Sequence, residues 1–344
     1  MITVEHLTKY YGTHLAVDDI SFEITEGHVY GFLGPNGAGK STTMNIITGC
    51  LSATEGKVLI DGHDIFEEPD AAKRCIGYLP EHPPLYMAES AEEYLRFVAQ
   101  AKGLRGTQLR EQVQQAIEKT GIEQVKHRRI SQLSKGYRQR VGIAQALLGN
   151  PKVIILDEPT VGLDPIQIIE IRELIMELGK THTVIFSSHI LSEVQAICDQ
   201  ILMIAKGRLV AFGSADELRK QLLTNNEIIL TTDAGETEIK EIVSAIAEIT
   251  GITVGAAEQG LTVAHLQSSH ENIYDLSAAV FRAFAGSGRL ILEMTLNRGN
   301  LEDVFIELSE GSKAAVIQTR TFSQGKLRKM PKVRRYNDDC NSET

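Results

Sequence analysis

The stretch GPNGAGKST at residues 34–42 decides the fold, because an apolar run at 29–33 precedes it and a helical pattern at 41–48 follows it. Its spacing matches G-x-x-x-x-G-K-[ST], the pattern of a phosphate-binding loop. Glycine permits the tight turn that brings backbone N–H groups against phosphates. Lys40 is predicted to reach the β- and γ-phosphates, and Ser41 to offer its hydroxyl to Mg²⁺. The predicted phosphate-binding residues are Gly34, Pro35, Asn36, Gly37, Ala38, Gly39, Lys40, Ser41 and Thr42.

Two carboxylates follow a second apolar run, Val153–Leu156, which is typical of a buried strand. Asp157 and Glu158 are candidate site residues because α/β sheets bind ligands at the carboxyl ends of their strands. We predict that Asp157 holds Mg²⁺ and that Glu158 polarises the water that attacks the γ-phosphate. The alternative is that the two acids only end a strand and cap a turn. The presence of the phosphate-binding loop in the same chain disfavours that alternative. His189 ends the later run IFSSHI and is predicted to contact the γ-phosphate.

Strand-like and helical runs alternate up to about residue 222, which predicts an α/β protein with a largely parallel sheet covered by helices. Apolar residues at three- and four-residue steps predict a helical subdomain at about 88–135. The polar segment TNNE at 224–227 is a predicted boundary. The order after it is strand, helix (236–249), strand, strand, helix, strand and a last helix at Leu301–Leu308, which resembles a ferredoxin-like α+β unit. The predicted domains are 1–222, 225–310 and a basic, disordered tail at 311–344.

Composition limits the classes of function. The net charge of −10 argues against broad nucleic-acid binding, although residues 311–335 carry eight Lys or Arg and no Asp or Glu. The four cysteines, at positions 50, 75, 198 and 340, form no metal-binding spacing and are interpreted as reduced thiols of a cytosolic protein. No apolar run approaches the roughly 20 residues that span a bilayer. We therefore expect any membrane role to depend on a partner.

The segment LSKGYRQR at 133–140 resembles LSGGQ, the signature of ATP-binding cassettes. Leu133, Ser134 and Gly136 match that signature, whereas Lys135 and Tyr137 depart from it. The resemblance implies that this segment contacts the γ-phosphate held by a second cassette, and a Ser hydroxyl and Gly amide at a helix start suit an anion. It also implies the fold of a P-loop NTPase cassette with a helical subdomain, followed by a small ferredoxin-like accessory domain.

Three further positions follow from the same resemblance. Tyr11, in KYYG, matches the aromatic residue that stacks on adenine, with Tyr10 as the alternative. Asp164, in VGLDP, matches a loop that reaches across a cassette dimer. Glu81, in YLPEHPPLY, stands where the family has Gln, and its carboxylate could bind ATP-site water or ligate Mg²⁺.

The end of the chain points to a subgroup. LNRGNLEDVFIEL, Leu296–Leu308, resembles the end of an accessory domain on drug-export and gliding-type cassettes. The resemblance implies an ATPase with ATP and Mg²⁺ as cofactors, at the cytoplasmic face of the cell membrane. Its implied partners are a second cassette, identical or paralogous, and an integral-membrane permease, with no nucleic acid.

Two rival functions stay open on the sequence. A soluble cassette ATPase of translation, repair or cluster assembly is one, but translation types carry two cassettes and repair types carry long coiled coils. A nucleotide sensor without turnover is the other, and it is disfavoured because Lys40, Asp157, Glu158 and His189 are all present.

Overall fold

The computed structural model describes residues 1–222, 226–256, 261–268 and 272–297. Within those ranges the strands are β1 (Ile2–Tyr11), β2 (His14–Ile24), β3 (Val29–Leu33), β4 (Glu55–Ile60), β5 (His63–Asp64), β6 (Ile76–Leu79), β7 (Val153–Leu156), β8 (Thr183–Ser188), β9 (Gln200–Ala205), β10 (Arg208–Gly213), β11 (Asn226–Thr232), β12 (Ile249–Ala256), β13 (Thr262–Ser268) and β14 (Ile291–Asn297). The α-helices are α1 (Lys40–Ile47), α2 (Pro69–Arg74), α3 (Ala91–Ala101), α4 (Gly106–Thr120), α5 (Lys135–Leu147), α6 (Pro165–Gly179), α7 (Leu191–Ile197), α8 (Ala215–Leu222), α9 (Glu236–Ser244) and α10 (Ile273–Gly286).

A six-stranded sheet with the order β10-β9-β3-β8-β7-β6 forms the centre of the first part. All of its neighbours pair in parallel except β10, which returns antiparallel beside β9. Every residue of β3, β7 and β8 is buried, as expected for strands covered on both faces. The predicted parallel sheet is confirmed, and it brings the carboxyl ends of these three strands to one edge.

A second, antiparallel sheet, β2-β1-β4-β5, was not anticipated from the sequence. Alternating apolar residues predict β1 and β2 as half-buried strands, but this pattern does not show which other strands β1 and β2 pair with. The apolar side of this sheet shares one core with α1 and with one face of the central sheet, through side chains such as Ile2, Phe32 and Met44. The sheet thereby supports the helix that follows the phosphate-binding loop.

The predicted helical segment contains α3 and α4, which pack on each other and on α5. Helix α3 begins with a capping box, since Ser90 accepts from the Glu93 N–H and the Glu93 carboxylate accepts from the Ser90 N–H. Tyr94, Val113 and Ile117 join the core that runs under the other face of the central sheet.

A third sheet has the order β12-β13-β11-β14 and is antiparallel throughout. With α9 and α10 it gives the strand order of a ferredoxin-like unit, as predicted. The predicted helix at 236–249 was too long, because α9 ends at Ser244 and Ile249 already starts β12. Helix α2, strand β5 and helix α8 were missed. The predicted helix Leu301–Leu308 and the basic tail lie outside the described residues, and the domain limits stay predictions.

Candidate functional site

The phosphate-binding loop leaves β3 and enters α1 through glycines that the local packing requires. Gly37 and Gly39 have φ values of 79° and 106°, a backbone region that disfavours side chains. A Cβ on Gly39 would lie 2.7 Å from the Ala16 carbonyl oxygen, and one on Gly34 would lie 2.5 Å from the Ile204 carbonyl oxygen. These close approaches leave no room for a side chain at either position, which explains the need for glycine there.

Lys40 is the first residue of α1 and is only 5% exposed. Its ammonium donates to the Gly34 carbonyl oxygen at 2.8 Å and forms an ion pair with Glu158 Oε1 at 3.1 Å. No side chain caps α1 at Gly39. A helix start with uncapped backbone N–H groups and a neighbouring ammonium is suited to bind phosphate.

Asp157 follows β7 and is almost fully buried. Its Oδ1 accepts from Ser187 Oγ at 2.6 Å and from Ser41 Oγ at 3.3 Å. Burial raises the pKa of Asp157, and the two hydroxyl groups oppose that rise. A divalent cation beside the carboxylate would offset the cost of keeping it charged in this buried place.

The residues around Asp157 fit Mg²⁺. This ion takes one or two carboxylates and completes its shell with water and substrate phosphates. The Ser41 hydroxyl donates to the Asp157 carboxylate, and Ser41 and Glu81 both line one open cleft. Among the described residues no cluster of three or more His, Cys, Asp or Glu could hold a metal alone. A Ser hydroxyl beside a carboxylate, at the start of the helix that follows the phosphate-binding loop, suits a cation that is shared with bound phosphate.

Glu158 and His189 meet at the edge of the central sheet. Glu158 is buried, has a φ of 48°, and its N–H donates to Ser187 Oγ at 2.8 Å. His189 follows β8, and its Nδ1 lies 3.0 Å from Glu158 Oε2. The structure thus brings Lys40, at the start of α1, together with Glu158 and His189, which follow the neighbouring strands β7 and β8. In this pattern a carboxylate can orient water next to groups that bind a terminal phosphate.

An open cleft of about 480 Å³ gathers most of the predicted site. Its lining consists of Tyr11, His14, Ala16, Asn36, Gly37, Gly39, Lys40, Ser41, Thr42, Glu81, Glu158, Val161 and His189. Tyr11 lines the cleft whereas Tyr10 does not, and its ring is half exposed with Lys9 Nζ 5.5 Å from the centroid. His14 and Ala16 were missed because they belong to no motif and reach the cleft only through the folding of β2. Val161 begins the VGLDP segment, which the sequence linked to a dimer loop and not to the cleft.

The signature segment lies apart from this cleft. Ser134 caps α5 by accepting from the Tyr137 N–H at 3.3 Å, and Ser134, Lys135 and Tyr137 are exposed. Leu133 is buried as an anchor, and Gly136 leaves room for Gln167, whose Oε1 would lie 2.6 Å from a Cβ there. None of these residues lines the cleft.

The loop at 161–165 lies beside the signature segment. Asp164 caps α6 by accepting from the Gln167 N–H at 2.9 Å, and the Lys135 ammonium lies against Gly162. The signature and the predicted dimer loop therefore form one exposed surface of the chain. The assignments of these residues, and those of the cleft, stay predictions.

Comparison with known proteins gives the context of this site. The model of the ABC transporter family matches residues 17–161. The chain is 35% identical over 300 residues to the uncharacterized ABC transporter ATP-binding protein YxlF of Bacillus subtilis, covering 82% of this chain and 100% of that protein. It is 32% identical to the linearmycin resistance ATP-binding protein LnrL of Bacillus subtilis, with 90% and 98% covered. It is also 32% identical to the bacitracin transport ATP-binding protein BcrA of Bacillus licheniformis, with the same coverage.

Solved cassettes share the fold. The dimeric, post-hydrolysis structure of the cassette MJ0796 bound to ADP and Pi aligns with a TM-score of 0.57 at 26% identity, covering 62% of this chain and 98% of that one. The cbiO1 protein of Clostridium perfringens, part of the ABC transporter complex cbiONQ, aligns with a TM-score of 0.58 at 31% identity, covering 72% and 95%.

A parallel sheet with a phosphate-binding loop and two carboxylates at one edge defines a P-loop ATPase. The chain belongs to the family of ABC transporter ATP-binding subunits. It binds ATP and hydrolyses it. Within the described residues, the helices are too short or too polar to cross a bilayer.

Proposed function

We propose that this subunit energises an exporter by pairing with a second cassette around ATP and by reopening when the ATP is hydrolysed. The observation that carries the proposal is the meeting of Lys40, Glu158 and His189 in one cleft, while the signature segment faces outward. In this proposal one chain supplies the side chains that bind and hydrolyse the nucleotide. The second cassette supplies the signature residues that cover the bound nucleotide.

The chemistry follows from the positions of the side chains. Lys40 binds the β- and γ-phosphates, and the α1 N-terminus adds backbone N–H donors. Ser41 and Asp157 hold Mg²⁺, which when bound neutralises charge on the phosphates. Glu158 accepts a hydrogen bond from the attacking water, and His189, in contact with Glu158, holds the γ-phosphate side of the cleft. ATP phosphates compete with Glu158 for the Lys40 ammonium, which leaves the Glu158 carboxylate available to water.

The outward surface suits a second cassette. Its polar part contains Ser134, Lys135 and Asp164, and Ile166 beside it is 71% exposed. An exposed aliphatic side chain next to a helix start that can bind anions is what a nucleotide-bridged dimer would cover. Dimerisation of the isolated chain with MgATP would distinguish a second copy of this chain from a paralogue.

A separate aromatic platform suits the membrane partner. The Tyr86 ring lies 5.2 Å from that of Phe97 and 5.5 Å from that of the buried Tyr94, measured between centroids. Tyr86 and Phe97 are 50% and 49% exposed, and Met87 beside them is 41% exposed. The platform adjoins the segment that carries Glu81. We assign it to a cytoplasmic helix of the permease, whose movement would then be coupled to the nucleotide cleft.

The direction of transport is inferred from relatives. LnrL and BcrA, which match nearly their whole length, are named for linearmycin resistance and for bacitracin transport. Both names fit proteins that move antibiotics out of a cell, and we extend export to this chain. The permease would hold the subunit at the cytoplasmic face of the cell membrane.

Co-purification from detergent-solubilised membranes tests the proposal. We expect the tagged full-length chain to retain one integral-membrane protein, identified by mass spectrometry. Replacing both Tyr86 and Phe97 with Ala should remove that protein, because the platform is lost. Phe281→Ala, at a side chain that is 60% exposed on α10, is the matched control and should retain it. Capture of soluble proteins alone would favour the rival function of a soluble cassette ATPase.

A further inference from the structure

Glu193 is a buried carboxylate that the sequence motifs did not single out. It lies on α7 and is 2% exposed. Its Oε2 accepts from Thr160 Oγ1 at 2.8 Å and from Ser188 Oγ at 2.9 Å. Its Oε1 lies 3.4 Å from Nη2 of Arg172 on α6. Glu193 does not line the nucleotide cleft, so it is not placed to contact ATP directly.

The two hydroxyl donors stand close in sequence to the proposed hydrolytic groups, Thr160 in the loop after β7 and Ser188 at the end of β8. Thr160 stands two residues after Glu158, and Ser188 immediately precedes His189. Both hydroxyl-bearing residues are buried, at 5% and 1% exposure. Water cannot replace a lost partner there, so each hydroxyl depends on the Glu193 carboxylate.

Each donor is also tied to the backbone next to the chemistry. Ser188 Oγ accepts from the Ile190 N–H at 3.0 Å, and the Ser188 carbonyl oxygen accepts from the Gly34 N–H at 3.3 Å. The Glu158 carbonyl oxygen accepts from the Val161 N–H at 3.3 Å, next to Thr160. The Glu193 carboxylate therefore joins the loop after β7 to the end of β8, and the Ser188 carbonyl oxygen joins the end of β8 to the phosphate-binding loop.

Arg172 extends the connection to α6, the helix that begins beside Asp164. Arg172 pairs with Oε1 of Glu193 and leaves Oε2 to accept from both hydroxyl groups. A charged acceptor forms a stronger hydrogen bond than a neutral one, but a neutral amide oxygen can still accept both hydrogens.

We propose that Glu193 is a positioning residue for ATP hydrolysis, which sets the separation of Glu158 and His189 by accepting from Thr160 and Ser188. The inference rests on the assignment of Glu158 and His189 as hydrolytic groups. Misplacing such groups by about 1 Å lowers turnover by about 100-fold, whereas nucleotide binding through Lys40 is made elsewhere and is retained.

Steady-state hydrolysis, fluorescent-nucleotide titration and thermal melting of full-length variants test this role. Glu193→Ala should lower kcat by about tenfold or more and leave the nucleotide Kd within about twofold. Glu193→Gln should recover kcat to within about threefold of the parent, because its amide oxygen can still accept both hydroxyl hydrogens. Thr120→Val is the matched control: Thr120 is a buried threonine whose hydroxyl bonds only to carbonyls of its own helix α4, and its loss should leave kcat unchanged.

Thr160→Val and Ser188→Ala carry the test if Glu193→Ala does not fold, and each should lower kcat without changing Kd. The proposal is overturned if folded Glu193→Ala or both hydroxyl variants keep the parental kcat, if Kd rises in step with the fall in kcat, or if Glu193→Gln is as impaired as Glu193→Ala. Glu158→Gln, measured in parallel, separates two kinds of failure. If Glu158→Gln also keeps the parental rate, the assignment of the site itself is wrong.

Discussion

Two helix starts in this chain have similar sequences and opposite surroundings. Helix α1 begins at Gly39-Lys40-Ser41, and α5 begins at Ser134-Lys135-Gly136. Lys40 is 5% exposed and contacts a carboxylate at the bottom of the cleft, whereas Lys135 is exposed. The first helix has no side-chain cap, and the second is capped by its own serine.

The difference shows how one local chemistry can serve two roles. A small residue, a lysine and a helix N-terminus make an anion site wherever they occur. At α1 the sheet edge adds the carboxylates and His189, so that half of the site is complete within the chain. At α5 the signature residues lie outside the cleft, and we propose that the same kind of group serves a nucleotide that another cassette holds.

The largest effect is expected from a substitution that stops hydrolysis at the α1 half of the nucleotide site. It leaves both the α1 half and the α5 half able to bind the nucleotide. Glu158→Gln keeps the size of the side chain and removes the carboxylate that orients water. Loss of a positioned general base lowers turnover by roughly 100- to 10,000-fold. Binding of ATP shared between two chains favours the dimer by mass action. Light scattering with MgATP should therefore show twice the monomer mass, and ADP should give mostly monomer.

Two results would count against that expectation. If the Glu158→Gln chain hydrolyses ATP at the parental rate, Glu158 is not the group that orients water. If it stays monomeric at saturating MgATP, the chain does not pair with itself, and a paralogous cassette is the partner to seek.

The two lysines allow a matched test of the comparison. Lys40→Ala removes a buried ammonium that meets the phosphates, and charge-assisted hydrogen bonds contribute about 1.5–3 kcal/mol. We expect nucleotide affinity to fall by about 10- to 150-fold. Lys135→Ala should leave the affinity of the monomer within about twofold, since Lys135 lies outside the cleft. Fluorescent-nucleotide titration measures both, and equal losses would remove the distinction between the two helix starts.

A smaller effect is expected when the α5 half is blocked. Ser134→Arg, placed in the Glu158→Gln chain, fills the gap for phosphate with a bulky cation and should return the dimer to monomer mass. In the parental chain it should lower turnover by about tenfold or more and leave the monomer's Kd unchanged. Ser244→Arg, at an exposed serine of α9, is the control for added charge. A dimer that survives Ser134→Arg would show that the signature surface does not form the interface.

The sequence was most informative at positions where a single type of residue can perform the required task. The phosphate-binding glycines, Lys40 and the two carboxylates could be placed because their spacing and their position after apolar runs leave few alternatives. Glu193 could not be found this way, because a single Glu on a short helix such as LSEVQAI gives no local signal. The role proposed for it depends on the hydroxyl groups of Thr160 and Ser188, which approach Glu193 only in the folded chain.

The fold shows the same limit. Buried strands such as Val153–Leu156 were predicted with their correct ends, since a short continuous apolar run that alternates with helices is typical of a buried strand. The antiparallel sheet of β1, β2, β4 and β5 was missed. Alternating apolar residues show which side of a strand is buried, but they do not show which strand it pairs with. The excess length of the predicted helix at 236–249 has a similar cause: Ile246 and Ile249 continue a helical spacing although the chain turns between them.

The smallest expected effect concerns the third sheet. Both helix starts of the comparison, and every cleft residue, lie within residues 1–222. A chain that ends at Leu222 should therefore bind nucleotide with a Kd within about twofold of the full-length value, because distant sites without shared partners act independently. Circular dichroism confirms that the shortened chain is folded before titration. The Glu158→Gln version of the same shortened chain adds a second measurement, since it should still dimerise with MgATP if α1 and α5 alone form the bridged site. Loss of binding in a folded chain would show that residues beyond 222 support the cleft, and loss of the dimer alone would assign them a part in pairing.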